Sequence, residues 1–183
     1  MKTNGSKMKV TDLTLIALFA AIVSVLSQVS VPMPSGVPIT LQTFAVALCG
    51  YYLGVKKGTA AIGVYILLGA VGVPVFTNFK GGFACLFSVT GGFIWGFLIF
   101  AALCGLRFRK KPLRIVFGLL GGLILHFCGA LQYALVMGID LIQSFLTVSA
   151  PYLIKDGVSV VLAFSLSEVI RRAVGRFFPV AER

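Results

Sequence analysis

Six long apolar runs limit what this chain can fold into. A helix needs about 20 residues to cross a bilayer core of about 30 Å, and backbone groups that face lipid must bond within their own segment. Runs of this length favour helices over buried strands. They predict an all-α integral membrane protein in which residues 1–183 form a single membrane domain. The six predicted spans are 13–29, 37–53, 59–75, 83–106, 113–137 and 152–173.

The composition and length argue against a soluble domain and against an attached ATPase domain. Of the 183 residues, 58% are hydrophobic and 11% are charged. In soluble domains, about 45–50% of the residues are apolar and about 25% are charged. Six spans leave no room for an extramembrane ATPase domain, and the sequence contains no GxxxxGK[ST] phosphate loop. Any energy source must therefore be a partner protein.

The basic residues follow membrane topology and do not form a nucleic-acid-binding patch. The formal net charge is +11, and 14 of the 16 lysines and arginines lie on alternate connections or at the termini. The positive-inside rule places these connections and both termini in the cytoplasm, where they can contact anionic lipid. Lys80 and Lys155 lie in or beside the outer loops. We expect a multi-pass protein of the cell membrane, with no nucleic-acid partner. The 14 residues are Lys2, Lys7, Lys9, Lys56, Lys57, Arg107, Arg109, Lys110, Lys111, Arg114, Arg171, Arg172, Arg176 and Arg183.

The start of the chain permits one alternative. A basic segment followed by an apolar run is also the pattern of a secretory signal peptide, here with cleavage after Ser27. Cleavage would leave five spans and would break the alternation of charge. The first apolar run is also long enough to cross the membrane, so a retained first span is the favoured interpretation.

Small residues at four-residue spacing predict where helices pack closely. The stripes of the fourth and fifth runs predict internal seams. His126 continues the second stripe and is predicted to hydrogen bond to a neighbouring helix, with proton transfer or ligand contact as the alternative. The stripe of the first run begins eight residues after Lys9, where a membrane partner could reach it. Composition leaves open whether it faces the interior or a partner. The stripes are Ala17 and Ala21 with the overlapping Ala20 and Ser24; Ala84, Ser88, Gly92 and Gly96; and Gly118, Gly122, His126 and Ala130.

Polar and kink-forming residues gather on the predicted outer side. The loop at 31–44 holds three prolines, which favour an extended connection, and then Thr40, Gln42 and Thr43. The loop at 74–82 places Asn78 and Lys80 among aromatic residues. Apolar rings beside amide and hydroxyl groups suit a small ligand with a polar head. A plain turn is the alternative for the second loop.

Asp156 is the strongest single candidate for a functional residue. Ser149 and Pro151 predict the start of the last helix, so Asp156 lies roughly 10 Å inside the span. A carboxylate at that depth is by default a substrate or ion site, with Lys155 as its nearest possible partner. Ser159 shares its helical face. Snorkelling of the carboxylate to the outer interface is the alternative.

Three segments of the chain resemble the BioY family, the biotin-binding S components of energy-coupling factor (ECF) transporters. They are GVPITLQTFAVALCG, GAVGVPVFTNFKGGFACLFSVTGGFIWGF and APYLIKDGVSVVLA, and the similarity runs from Leu15 to about Arg172. The resemblance implies a six-helix protein that captures biotin from outside the cell. It also implies delivery together with a transmembrane coupling protein and two cytoplasmic ATPases, with Ala17 and Ala21 docking on the coupling protein. No cofactor is implied, because biotin is the transported substrate and ATP is consumed by the partners.

The resemblance also assigns site residues. Asn78 and Asp156 match the family's asparagine and aspartate, which together suit a ureido ring. The chain departs from the family at Ser159, where a lysine is usual, and at Phe93, where a tyrosine is frequent. Either Lys155 or Lys80 compensates for the lost lysine, or the ligand differs from biotin. The predicted substrate site is Asn78, Asp156, Ser159, Thr40, Gln42, Thr90, Phe93 and Lys155.

The sequence leaves three other functions open. The chain could be an S component for a different small vitamin or ring compound. It could be an assembly subunit without a ligand, since small-residue stripes alone would serve that role. It could also be an intramembrane enzyme that uses Asp156, Asp140 or His126 as acid or base. Against the enzyme, these residues and the four cysteines lack the spacing of a metal or nucleophile site.

Overall fold

The computed structural model describes residues 9–174, and most of them are helical. Lys2, Lys7, Arg176 and Arg183 of the topology prediction lie outside this range. Two short strands, β1 Ser30–Val31 and β2 Ile39–Thr40, pair antiparallel. Short 3-10 helices span Thr77–Phe79, Phe83–Phe87 and Ala150–Tyr152. The α-helices within 9–174 are α1 Val10–Leu26, α2 Gln42–Leu53, α3 Val55–Ala70, α4 Gly91–Cys104, α5 Lys111–Met137, α6 Leu141–Val148 and α7 Leu153–Val174.

The second predicted span forms the centre of the bundle. Eleven of the 12 residues of α2 are buried, and the helix packs against α1, α3, α4 and α7. Because protein surrounds α2 on all sides, its backbone need not match the thickness of a bilayer.

The outer faces of the bundle carry large apolar side chains. On α5, Leu123 and Phe127 are about half exposed and Leu135 is 76% exposed. Apolar surface on this scale marks contact with lipid or with a partner. Within residues 9–174, α5 is the one helix long and apolar enough to cross a membrane by itself, while α1 and α4 are apolar but shorter.

The fourth predicted span is wrong as a single α-helix. Phe83–Phe87 forms a 3-10 helix, and α4 begins only at Gly91. The side chain of Gln132, on α5, donates to the carbonyls of Leu86 and Ser88 at 2.9 and 2.8 Å. These carbonyls are therefore satisfied without a continuous helix. This contact between distant parts of the chain accompanies the break in the helix, and the apolar run by itself gives no sign of it.

Helix α6 was not predicted, although the sequence carries its signals. Gly138 ends α5 in the left-handed conformation (φ 66°), and the Asp140 side chain caps α6 by accepting from the amide of Ile142 at 2.8 Å. The last helix begins close to its predicted start, since Pro151 lies in the first turn of the 3-10 helix Ala150–Tyr152 and α7 follows directly from Leu153. Ser149 is not its side-chain cap, since its hydroxyl donates to the His126 carbonyl at 3.1 Å.

The two ends of the bundle differ in chemistry. The start of α1, the end of α7 and the α2–α3 and α4–α5 connections meet at one end. There Lys57 pairs with Asp12, Arg114 pairs with Glu168, and Arg171 donates to the carbonyl of Tyr52. The hairpin, the turn at 76–80 and helix α6 lie at the other end. The basic residues at one end are thus separated by the length of the helices from the polar residues of the hairpin and the 76–80 turn at the other.

The α4–α5 seam gives a first testable prediction. A Cβ at Gly92 would lie 2.2 Å from the backbone oxygen of Cys128, so Gly92→Ala must push the helices apart. We expect a loss of about 1–3 kcal/mol of stability, read as a lower melting temperature in detergent. Gly63→Ala is the matched control, because a Cβ there meets nothing within 4 Å. An unchanged melting temperature for Gly92→Ala would contradict the close packing.

Candidate functional site

A cavity of about 300 Å³ lies at the end of the bundle away from the basic connections. Its walls come from the β1–β2 hairpin, the 76–80 turn, and helices α2, α4, α5 and α7. Seven of the eight residues predicted as substrate-binding line this cavity. The seven are Thr40, Gln42, Asn78, Thr90, Phe93, Lys155 and Asp156.

Asp156 is a buried carboxylate with two cationic or potentially cationic neighbours. The residue is 6% exposed, so the snorkelling alternative is wrong. Its Oδ1 forms an ion pair with Lys155 Nζ, and its Oδ2 lies 3.2 Å from His126 Nε2. Lys155 Nζ also donates to the carbonyl of Thr40 at 2.9 Å. A buried charge needs such partners, and here all three side chains line the cavity.

His126 is a cavity residue that the substrate-site prediction omitted. The prediction gave it a hydrogen bond to a neighbouring helix. In agreement with that prediction, His126 Nε2 lies 3.2 Å from Oδ2 of Asp156 on the neighbouring helix α7. The same ring also lines the cavity and lies edge-on to Phe93, at 6.0 Å between ring centres. Within residues 9–174, Nδ1 of His126 has no hydrogen-bond partner. The available signal was the position of an ionisable residue in an apolar run, which by default marks function.

Asn78 presents an amide to the cavity from a tight turn. Phe76 and Lys80 bond to each other across this turn, at 2.9 and 3.2 Å. The Ser30 hydroxyl donates to Asn78 Oδ1 at 2.8 Å. With its oxygen engaged, Asn78 retains its Nδ2 amide hydrogens as donors to a ligand. A carboxylate at Asp156 and an amide donor at Asn78 thus face one space.

The other predicted residues shape the cavity more than they offer free polar groups. Gln42 Nε2 donates to the hydroxyl of Tyr65 at 2.6 Å, and its Oε1 accepts from Thr77 at 3.3 Å. The Thr90 hydroxyl lies 3.1 Å from that of Ser88. Gln42 therefore links α2 to α3 and to the Asn78 turn, which stabilises the wall.

Ser159 is not brought to the cavity. It lies one turn further along α7, is 9% exposed, and donates from its hydroxyl to the carbonyl of Lys155 at 2.9 Å. The cation beside Asp156 comes from Lys155, and Lys80 lines the same cavity. The structure thus offers two lysines near the site, although the one expected at position 159 is absent.

The β1–β2 hairpin is fixed over the cavity by two tyrosines that the sequence did not single out. Tyr152 donates to the carbonyl of Val37 at 2.6 Å, and Tyr133 donates to the carbonyl of Ser35 at 3.1 Å. The proline-rich loop is thus a hairpin rather than the extended connection that was expected. Its backbone carbonyls make these bonds, so side-chain patterns in the loop could not reveal them.

The predicted docking stripe of α1 lies on the surface. Ala17 and Ala21 are exposed, whereas the overlapping Ala20 is 1% exposed and packs into the core. The two stripes of the same helix therefore face opposite environments. This separates a small, flat outer face at Ala17 and Ala21 from the interior seam.

No metal centre accompanies the cavity. Residues 9–174 contain no group of three or more histidine, cysteine or acidic side chains that could hold an ion. The site therefore consists of a carboxylate, an imidazole, two lysines and an amide around an apolar wall.

Three comparisons with known proteins agree on one family of biotin transporters. The sequence pattern of the BioY family matches residues 1–176. The chain is 37% identical over 161 residues to the probable biotin transporter BioY of Pyrococcus horikoshii, covering 88% of this chain and 96% of that one. It is 33% identical over 186 residues to the biotin transporter BioY of Rhodobacter capsulatus, covering 93% and 96%. A crystal structure of the S-component for biotin from an ECF-type ABC transporter matches with a TM-score of 0.82 and 26% identity, over 94% of this chain and 95% of that one.

Proposed function

This chain belongs to the BioY family, and we propose that it captures biotin and supports its uptake as the substrate-binding subunit of an ECF-type transporter. The observation that carries the proposal is the cavity in which Asp156 and Asn78 face one space. The relatives are named as transporters, so the chain is a transport protein and not an enzyme. This sets aside the intramembrane enzyme.

The chemistry of the cavity fits the head group of biotin. A ureido ring presents two N–H donors and one carbonyl acceptor. The carboxylate oxygens of Asp156 can accept from the N–H groups of the ring, and Asn78 Nδ2 can donate to its carbonyl. His126, with an unpartnered Nδ1 in the cavity wall, is a further candidate contact. The cavity of about 300 Å³ suits a small ligand.

The membrane arrangement is part of the proposal. We assign one crossing each to α1, α2, α3, the 83–104 segment, α5 and α7, with α6 on the outer side and both termini in the cytoplasm. The separation of the basic end from the cavity end supports this orientation under the positive-inside rule. The cavity then opens toward the outside of the cell membrane, where a vitamin would be captured.

The proposed partners follow from the type of transporter. The sequence contains no GxxxxGK[ST] phosphate loop, and the matched crystal structure is of one component of an ECF-type ABC transporter. We propose a transmembrane coupling protein and two cytoplasmic ATPases. The exposed face at Ala17 and Ala21 supports docking within the membrane, since small residues permit close helix contact.

Equilibrium binding to the detergent-purified chain tests the ligand. We expect saturable binding of biotin, one molecule per chain. Lipoic acid, which has a similar carboxylate tail but lacks the ureido ring, should not compete at about a hundredfold excess, because a site built to bond N–H and carbonyl groups rejects analogues without them. Binding of lipoic acid in place of biotin would favour an S component for another ring compound. Binding of neither would favour an assembly subunit.

A further inference from the structure

The turn that carries Asn78 has an unusual backbone. Asn78 and Phe79 both adopt positive φ, at 60° and 55°. Asparagine enters this left-handed region with little difficulty, but a bulky residue such as phenylalanine is an outlier there. Backbone strain of this kind persists only when the surrounding structure holds it in place.

The ring of Phe79 does not supply that hold. The residue is 71% exposed, so burial of its side chain cannot compensate for the backbone conformation. Contacts to the backbone of the turn must therefore do so.

Gln28, just after the end of α1, makes these contacts. Its Oε1 accepts from the backbone N–H of Phe79 at 2.8 Å. Its Nε2 lies 3.1 Å from the carbonyl oxygen of Phe76 and 3.2 Å from that of Val75. One amide side chain thus bonds both limbs of the turn. The neighbouring Ser27 hydroxyl adds a contact to the Val75 oxygen at 2.6 Å.

We infer that Gln28 is a positioning residue for ligand binding: it holds the 76–80 turn in its left-handed conformation and thereby keeps the Asn78 amide directed into the cavity. The inference rests on the proposed function, because it assigns Asn78 to the ligand. Gln28 itself does not line the cavity. Its effect on the ligand therefore passes through the backbone of the turn.

Substitution of Gln28 with rescue at Phe79 tests the inference. Gln28→Ala should weaken biotin binding by about tenfold. A loss of this size corresponds to the energetic cost of holding one residue in a strained backbone conformation. Phe79→Gly in the same chain should restore most of the affinity, because glycine adopts positive φ without steric cost. Phe79→Gly alone should leave the affinity nearly unchanged. Gln143→Ala is the matched control, because Gln143 is exposed on α6 and does not line the cavity.

Hydrogen exchange without ligand separates this inference from the proposed function. The amides of Phe76 and Lys80, bonded across the turn, should exchange slowly in the wild type, faster in Gln28→Ala, and slowly again with Phe79→Gly added. Unchanged exchange in Gln28→Ala, or no rescue by glycine, would overturn the role of Gln28. If the wild type fails to bind biotin, the proposed function fails, while the exchange rates still decide whether Gln28 holds the turn.

Discussion

Asp156→Asn is expected to lower the affinity for biotin by about 5- to 150-fold, the equivalent of about 1–3 kcal/mol. The amide retains the shape of the side chain but loses the charge and one acceptor oxygen. One ligand N–H then lacks its acceptor, and Lys155, whose side chain is 31% exposed, loses its ion-pair partner. Titration of purified chain with biotin, in detergent, measures the effect.

Ser159→Ala provides the control for this substitution. Ser159 lies one helical turn from Asp156 on α7 and is similarly buried, but it does not line the cavity. Its replacement should leave the affinity within about twofold, since only its bond to the Lys155 carbonyl is lost. A larger loss for Ser159→Ala than for Asp156→Asn would return Ser159 to the site and remove Asp156 from its centre.

Ala17→Trp combined with Ala21→Trp is expected to abolish biotin uptake while leaving biotin binding unchanged. Both positions are exposed on α1, and neither lines the cavity. Two indole rings would prevent the close helix contact that small residues allow. Uptake is measured in cells that also express the coupling protein and ATPases, and binding is measured on the purified double variant.

A matched pair of substitutions on α5 controls for bulk at the surface. Leu123 and Phe127 have the same four-residue spacing and are about half exposed. Leu123→Trp combined with Phe127→Trp should retain uptake, because these positions already carry large side chains. Uptake that survives the α1 substitutions would show that the docking face lies elsewhere. Binding that is lost with them would indicate misfolding rather than a docking defect.

The positions of the helices were largely predictable. Apolar runs of about membrane length identify helices whatever their neighbours, and α5 and α7 follow the predicted spans within one or two residues. The stripe at Gly92 and Gly96 correctly indicated an internal seam, since both glycines pack against α5. The fourth span failed because Gln132 bonds the carbonyls of Leu86 and Ser88. That contact joins residues far apart in the chain.

The candidate site was predictable only in part. Asp156 stood out because a carboxylate in an apolar run is costly without a purpose. His126 was predicted to hydrogen bond to a neighbouring helix, but its stripe of glycines gave no indication that the neighbour would be Asp156 in a cavity wall. Ser159 shares a helical face with Asp156 but lies one turn too deep to reach the cavity. Helical periodicity fixes direction around an axis and not depth relative to a cavity.

The sequence by itself determined the membrane-protein class, the separation of the basic connections from the loops that carry the candidate site residues, and the family resemblance. These depend on composition and on order along the chain. Only the tertiary structure decided that α2 is the central helix, that Ala17 and Ala21 face outward while Ala20 faces inward, and that His126 meets Asp156. These features arise from contacts between segments. Such contacts depend on how the helices pack against one another, which no single run of residues specifies.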